Sequence, residues 1–273
     1  MNVKYIIPVG DNCETGCHLT RNGYSFSSLF RYAGAELENV ISVIENNFCG
    51  LFSYEKITPV HAGMVMCENY WISWHTGFST SKSESSEEWI FNDKSYSQYE
   101  KEISKLNHLR DNLIEALECS SGTVLFIYRS KRGRFSELIR FINLIEKKYP
   151  KLDFKLLVVK SREQKIGVSH QRIDVRNVKY LAPYEEAVTG GDDKNWNRIL
   201  SKYIDVPDFE KIAFLTCVPK GNQIADYLRD IAIKFEELDD IETAYKIMLQ
   251  ASYCRPTGRY ISRKLDQYKR RLG

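Results

Sequence analysis

The sequence predicts an α/β fold with three layers, in which a mostly parallel sheet has helices on both faces and a helical extension follows at the C-terminus. Three mainly apolar runs, Tyr5–Val9, Thr123–Tyr128 and Phe154–Val159, are typical of strands buried on both faces. The amphipathic segment Phe135–Tyr149 lies between the second and third runs, and Pro150 ends it. Strands that alternate with helices in this way form parallel sheets.

The first half of the chain supplies the first strand and several further elements. Apolar residues at helical spacing predict helices, and a segment rich in Ser, Glu and Lys predicts a mobile surface loop. In chain order, the predicted elements are a helix over Cys13–Asn22, a helix over Ala35–Asn47, short strands over Val60–Met66 and Tyr70–Trp74, a surface loop over Ser79–Glu88 and a long helix over Ser97–Cys119.

The second half completes the sheet and then becomes helical. A shorter strand of the same sheet is predicted at Val178–Leu181. Four helices follow, and they are predicted at Lys194–Tyr203, Asn222–Phe235, Ile241–Ala251 and Tyr260–Arg271. We therefore predict a catalytic-type α/β domain over residues 1–205 and a helical C-terminal extension with a basic end over residues 206–273.

The composition is that of an ordinary globular protein. The chain has 273 residues and a net charge of +3, which is too small to indicate nucleic-acid binding. No apolar stretch is long enough to span a bilayer, and the N-terminus lacks the features of a secretory signal, so we predict a cytoplasmic location. The seven cysteines are scattered, which argues against a disulfide framework and against structural zinc. We predict neither a metal nor a cofactor.

The turn after the first strand is the most informative local feature. Gly10-Asp11-Asn12-Cys13-Glu14 predicts a glycine turn that opens a helix. Asp11 and Glu14 stand three residues apart, which is the spacing of a capping box. Cys13 would lie in the first helical turn, where free amides and the helix dipole lower the pKa of a thiol. Ligands of α/β proteins usually bind at this end of a strand, although an inert cysteine in a structural turn is the alternative.

A cysteine nucleophile needs a base within hydrogen-bond reach, and the chain has five histidines. His75 follows the strand-like segment Tyr70–Trp74 and precedes Thr76-Gly77. This pattern places His75 at a strand end, facing a cleft, while His61 is the second candidate. The alternative for each is a surface or core histidine without a role in chemistry.

Four motifs near the N-terminus carry a resemblance to a known family. They are Val9-Gly10-Asp11-Asn12-Cys13, Leu19-Thr20-Arg21-Asn22-Gly23, Ser28-Leu29-Phe30-Arg31-Tyr32 and Leu37-Glu38-Asn39-Val40-Ile41. With the later segments Val124–Lys160 and Gly191–Trp196, they resemble a bacterial family of unknown function whose members are labelled papain-like cysteine peptidases. The resemblance implies a cysteine-dependent hydrolase or acyl-transfer enzyme with Cys13 as the nucleophile and His75 as the general base.

Two positions differ from the pattern of that family. Arg31 replaces the acid of its Pro-Phe-Asp-Trp motif, and Thr76 replaces the acid of its His-Asp pair, directly after His75. An orienting carboxylate must therefore come from elsewhere in the chain. Asp192 and Asp193, in the loop after two glycines, are the best candidates, and we predict Asp192 as the third catalytic residue.

A basic stretch, Arg129-Ser130-Lys131-Arg132-Gly133-Arg134, follows the strongest predicted strand. At the carboxyl end of a parallel strand, such a stretch can hold a phosphate or a nucleotide sugar, and an exposed solvated loop is the alternative. The residues predicted to bind substrate or phosphate are Gly10, Asp11, Asn12, Arg129, Arg132 and Arg134.

The C-terminal segment carries a second resemblance, to a different class of proteins. Residues Ala244–Tyr268 resemble the tail of bacterial enzymes of lipopolysaccharide and capsule biosynthesis, several of which are glycosyltransferase-like. The last helix is rich in Arg and Lys, which favours contact with anionic lipid.

Two alternatives to the cysteine hydrolase therefore stay open. One is a glycosyltransferase-like enzyme that holds a nucleotide sugar at the first turn and the Arg129–Arg134 loop.

The other alternative is a non-catalytic assembly protein that lies peripherally at the inner membrane. The predicted partners are a small-molecule or polysaccharide-related substrate and, through the basic helix, an anionic membrane surface. Nucleic acid is not among them.

Overall fold

The chain divides into two compact units, Met1–Ile212 and Ala213–Gly273. The structure, a computed structural model, describes residues 3–131, 134–163, 170–188, 190–204, 222–255 and 258–272. The boundary predicted between residues 205 and 206 lies in the segment 205–221, outside the described residues. Each unit is described by itself.

The first unit combines a parallel sheet with smaller antiparallel sheets. Its described elements are β1 (Val3–Pro8), α1 (Glu14–Arg21), α2 (Leu37–Glu45), β2 (Ile57–His61), β3 (Met64–Cys67), β4 (Ile72–His75), β5 (Thr80–Lys82), β6 (Trp89–Phe91), α3 (Tyr96–Leu117), β7 (Thr123–Arg129), α4 (Phe135–Lys148), β8 (Phe154–Ser161), β9 (Ile173–Val178) and α5 (Asp193–Leu200). Two short 3-10 helices cover Tyr54–Lys56 and Tyr184–Glu186.

The central sheet has the strand order β1-β7-β8-β9, and all neighbouring strands are parallel. β7 is buried along its whole length because it lies between β1 and β8. The helix α4 connects β7 to β8, as a crossover between parallel strands requires. The predicted α/β fold with a helical C-terminal extension is confirmed.

Alternate residues of the sheet enter two different apolar cores, one on each face. Phe126 and Val158 belong to the core that residues of α2, α3 and α4 share. Ile127 and Leu157 belong to the other core, together with Trp196 of α5 and residues of α1. The helices therefore cover both faces of the sheet.

The position predicted for the last strand is wrong. The prediction was Val178–Leu181, whereas β9 covers Ile173–Val178 and pairs with β8. As the edge strand, β9 is only half-buried, and polar residues such as Asp174 and Arg176 alternate with apolar ones. A search for uninterrupted apolar runs misses such a strand.

The surface loop predicted over Ser79–Glu88 is also partly wrong. It contains β5, which forms an antiparallel hairpin with β6, so that Thr80 pairs with Phe91. The ring of Phe91 lies 5.1 Å from that of Phe78, which is buried. Because β5 itself is polar and partly exposed, its composition resembles that of a loop.

The second unit contains α6 (Asn222–Glu237), α7 (Ile241–Cys254) and α8 (Arg259–Leu272). Small and apolar side chains from all three helices form one core. Its buried members are Ala225, Leu228, Ala232, Ile241, Ala244, Ile247, Met248, Ala251, Ile261, Leu265 and Tyr268. The described residues of this unit thus bury their own apolar faces against one another.

Several of the basic residues at the end of the chain have acidic partners within this unit. Lys264 lies 2.7 Å from Glu236, and Arg271 lies 2.7 Å from Asp239, while Lys269 is exposed. Contact of α8 with anionic lipid stays a prediction. No helix in the described parts of the chain has the length and apolar content needed to cross a membrane.

Candidate functional site

A glycine turn joins β1 to α1 and positions the first site residue. Gly10 has a φ of +118°, a backbone conformation that residues with a side chain rarely adopt. A Cβ atom at this position would lie 2.5 Å from the carbonyl oxygen of Ala35. The Gly10–Asp11 peptide bond is cis. Glycine is therefore required here, both for its conformation and for the close approach of Ala35.

Backbone hydrogen bonds hold this turn beside β4. The Ala35 amide donates to the carbonyl oxygen of Asp11 over 3.1 Å. The neighbouring Gly34 pairs with Ser73 in both directions, at 2.9 and 3.0 Å. Since Ser73 lies in β4, two residues before His75, the segment Gly34-Ala35 bridges the first turn and the strand that ends at His75.

The Cys13 thiol contacts two side chains that favour its ionised form. A hydrogen bond from the Cys17 thiol lowers the pKa of Cys13, burial raises it, and a hydrogen bond with His75 and the charge of that ring lower it further. The result is a pKa of about 5. The structure thus brings the predicted nucleophile and the predicted base together. It adds Cys17, which lies one helical turn later on the same face of α1.

The members of this cluster differ in their exposure to solvent. Cys13 is 6 % exposed and Cys17 is 2 % exposed, whereas His75 is an exposed residue. His75 also lines a cavity of about 220 Å³. A reactant would therefore approach the thiol from the side of the imidazole ring and the cavity.

The predicted capping box is wrong. Cys13 is the N-cap residue of α1, and its side chain makes no capping hydrogen bond. The Glu14 amide is bound instead by the side-chain oxygen of Asn12, over 3.0 Å. The carboxylates of Asp11 and Glu14 both bind Arg129 at the end of β7. Asn12 therefore has a structural contact, and the two acids form a long-range ion cluster.

Arg129 ties the first turn to the end of β7, and its role in binding phosphate stays a prediction. Nε donates to Glu14 and Nη1 to Asp11, while Nη2 donates to the carbonyl oxygen of Ala182. Arg129 is 2 % exposed and Glu14 is fully buried. Burial raises the pKa of Glu14, but hydrogen bonds from His18 and Arg129 outweigh it, so that this pKa lies below its usual range. The buried guanidinium thus binds both acids next to Cys13.

The other two predicted arginines of the basic stretch do not complete a phosphate site in the described structure. Arg134 has a side chain that is 80 % exposed, and its Nε lies 3.9 Å from Glu137. Arg132 lies outside the described residues. A role for Arg134 in substrate binding stays a prediction.

Asp192, the predicted third catalytic residue, caps α5. Its carboxylate accepts hydrogen bonds from the amides of Asn195, at 3.3 Å, and Lys179, at 2.5 Å. Burial raises the pKa of Asp192, but these hydrogen bonds outweigh it and hold the pKa below its usual range. Among the residues that the structure describes, no carboxylate forms an ion pair with His75; the ion-paired histidine is His18.

His18 is a buried residue that the sequence analysis does not single out. Its ring stacks on Trp196, with ring centres 4.7 Å apart, and Nδ1 lies 3.3 Å from Asp193. Nε2 lies 3.6 Å from Glu14, four residues earlier on α1, and this spacing is the signal that could have found the pair. Burial lowers the pKa of His18. This cluster fixes α1 against α5 and thereby supports the helix that carries Cys13.

Gly16 allows α1 to approach the segment that contains Arg31. A Cβ atom at Gly16 would lie 2.2 Å from the carbonyl oxygen of Arg31 and 2.9 Å from the ring of Tyr32. In an open helix, replacing glycine by alanine stabilises by about 1 kcal/mol. For Gly16→Ala we instead expect a loss of about 1–3 kcal/mol, because the backbone must move apart. Urea denaturation measures the change, and a stabilisation would contradict this close packing.

Comparison with protein-family models, with curated proteins and with solved structures found no match to the chain. The site is therefore interpreted from its own geometry. Within the described ranges, no group of three or more His, Cys, Asp or Glu side chains is arranged to hold a metal ion. None of the cysteines that the structure describes forms a disulfide.

Proposed function

We propose that the first unit is a cysteine-dependent hydrolase or acyl-transfer enzyme. The observation that carries the proposal is the proximity of the Cys13 thiol, in the turn between β1 and α1, to the imidazole of His75 at the end of β4. A thiol with a pKa of about 5 is ionised at neutral pH, and the thiolate is the nucleophilic form. The adjacent imidazole supplies the acid and base functions of such a reaction.

In the proposed reaction, the Cys13 thiolate attacks a carbonyl carbon and forms a carbon–sulfur bond. Negative charge develops on the carbonyl oxygen, and amides in the first turn of α1, which lack acceptors within the helix, would stabilise it. His75, as imidazolium, gives its proton to the leaving amine, alcohol or thiol. The leaving group departs with the bonding electrons and leaves an acyl group on Cys13.

The second step removes this acyl group. His75 takes a proton from water, or from an alcohol or amine that receives the acyl group. The molecule that loses the proton attacks the thioester and displaces the Cys13 thiolate. Water gives a free acid and completes hydrolysis, whereas an alcohol or amine acceptor gives a transferred acyl product. The geometry supports both outcomes, because both use the same two side chains.

An active ester tests the proposal without knowledge of the natural substrate. We expect p-nitrophenyl acetate to acetylate the full chain once, at Cys13, as measured by intact mass and peptide mapping. Cys13→Ser should abolish this modification. His75→Gln should slow it by about a hundredfold or more, the usual contribution of a general acid–base residue.

The chain contains a matched control for this experiment. Cys49 is an exposed free thiol, whereas Cys13 is buried. If accessibility alone decided the reaction, Cys49 would be acetylated first. Acetylation of Cys49 in preference to Cys13 would overturn the proposal.

The alternative glycosyltransferase-like function depends on a cationic loop that grips a nucleotide sugar. The guanidinium of Arg129 instead binds Asp11 and Glu14, so no observation in the described structure favours that alternative. The relation of the C-terminal segment to surface-polysaccharide assembly stays a prediction.

A further inference from the structure

The cavity of about 220 Å³ beside His75 has largely apolar walls. The apolar side chains come from the segment before α2, from β4 and from α3, and they are Leu29, Tyr32, Trp74, Leu106 and Leu109. An apolar cavity of about 150 Å³ is large enough to bind benzene. This cavity therefore has room for an aromatic ring with a short chain, next to His75.

Arg31 contributes a positive charge to this cavity. It is 4 % exposed, and its guanidinium donates to the carbonyl oxygens of Phe26 and Tyr24 and, over 2.8 Å, to the hydroxyl of Thr20. Among the residues that the structure describes, no carboxylate is paired with Arg31. A buried charge without a counterion is costly, so a negatively charged ligand would be stabilised here.

Two buried polar atoms of the cavity residues have no hydrogen-bond partner among the residues that the structure describes. They are the hydroxyl oxygen of Ser28 and Nε of Arg31, and both residues line the cavity. Buried polar groups in proteins are nearly always paired. A hydroxyl and a guanidinium N–H can both donate to one carboxylate, so the two atoms point to an acceptor of that kind.

The acidic residue that lines the cavity already has a partner. Glu102 accepts hydrogen bonds from Gln98, over 3.0 Å, and from Nζ of Lys105, over 2.8 Å. Glu102 and Lys105 both line the cavity, and their charges cancel. The charge of Arg31 therefore favours anionic ligands in the cavity.

We propose that this cavity binds a carboxylate group of the substrate, which makes the substrate an acyl compound whose short apolar or aromatic chain also carries a carboxylate. The acyl part of this statement rests on the proposed function, whereas carboxylate binding does not. The apolar walls hold the chain, and Arg31 and Ser28 hold the carboxylate. The reacting carbonyl then lies on the side of the cavity that His75 lines.

Phenylbutyrate and its neutral amide, phenylbutanamide, form a matched pair of probes. We would measure both dissociation constants by ligand-observed NMR with the full chain carrying Cys13→Ser, so that binding is separate from chemistry. We expect the acid to bind about tenfold tighter than the amide, as hydrogen bonds to charged groups allow. Equal affinity for the two probes, or no binding of either, would overturn the proposal.

Charge variants locate the binding site. Lys105→Met should reduce the preference for phenylbutyrate because it leaves the charge of Glu102 without a counterion. Glu102→Gln should increase that preference. Ser28→Ala should weaken binding of the acid by about fivefold without loss of stability, because its hydroxyl has no protein partner. Lys101→Met makes the same charge change as Lys105→Met at an exposed position outside the cavity and should change nothing.

The outcomes separate this inference from the proposed function. If Ser28→Ala and Lys105→Met leave the preference for phenylbutyrate over phenylbutanamide unchanged, the carboxylate binds outside this cavity. That result overturns the inference. Labelling of Cys13 without an acid preference overturns the inference alone. An acid preference without reaction at Cys13 overturns only the proposed function.

Discussion

Replacing Arg129 by methionine should destabilise the first unit by about 3–5 kcal/mol, the usual cost of removing one partner of a buried ion pair. The substitution leaves the fully buried carboxylate of Glu14 without its counterion and also frees Asp11. We expect urea denaturation of the full chain at neutral pH to show this loss. Adding Glu14→Gln should recover part of it, because the uncompensated charge is then removed.

The same basic stretch provides the control for this substitution. Arg134→Met removes a side chain that is 80 % exposed and should change the stability by no more than about 0.5 kcal/mol. Equal effects of Arg129→Met and Arg134→Met would contradict the structural role of Arg129.

The effect of Arg129→Met should also depend on pH. The pKa of Glu14 in the folded protein lies below its ordinary value of 4.5. The stability that its ionised form contributes is therefore fully present above about pH 4.5 and is lost as the pH falls through the lowered pKa. The difference in the free energy of unfolding between the unmodified chain and Arg129→Met should accordingly become smaller in acid. Urea denaturation at several pH values measures this difference.

Replacing Cys17 by alanine should raise the pKa of Cys13 by about one to two units. The hydrogen bond from Cys17 has the largest effect on the pKa of Cys13. A hydrogen bond to a charged group contributes about 1.5–3 kcal/mol, and one pKa unit corresponds to about 1.4 kcal/mol. At about pH 5, iodoacetamide should therefore alkylate Cys13 about tenfold more slowly in Cys17→Ala than in the unmodified chain.

Serine at the same position is the matched control. Cys17→Ser keeps a hydrogen-bond donor of similar size, so the pH midpoint of Cys13 alkylation should stay close to that of the unmodified chain. If the alanine and serine variants share the midpoint of the unmodified chain, Cys17 does not stabilise the thiolate.

The parts of the fold that could be predicted from the sequence are the fully buried ones. β7 and β8 contain the apolar runs Val124–Tyr128 and Leu156–Val159 because helices cover both faces of the sheet. The edge strand β9 carries Asp174 and Arg176 on half-exposed positions, so it has no such run. The polar strand β5 has no such run either.

The local part of the candidate site was accessible to sequence reasoning, and the long-range part was not. Gly10 and Cys13 stand in one short motif, and His75 follows a recognisable strand. The spacing of Asp11 and Glu14 fits both a capping box and a shared ion-pair partner. Only the fold shows that this partner is Arg129, whose hydrogen bond to Glu14 spans 115 residues.

The pH dependence of Cys13 alkylation in the unmodified chain tests the central claim most directly. The rate constant for iodoacetamide, followed by mass spectrometry of the Cys13 peptide, reports the fraction of thiolate. A midpoint at about pH 5, with a constant rate at higher pH, is the predicted result. A midpoint near the ordinary thiol pKa of about 8.5 would contradict a thiolate stabilised by Cys17 and His75.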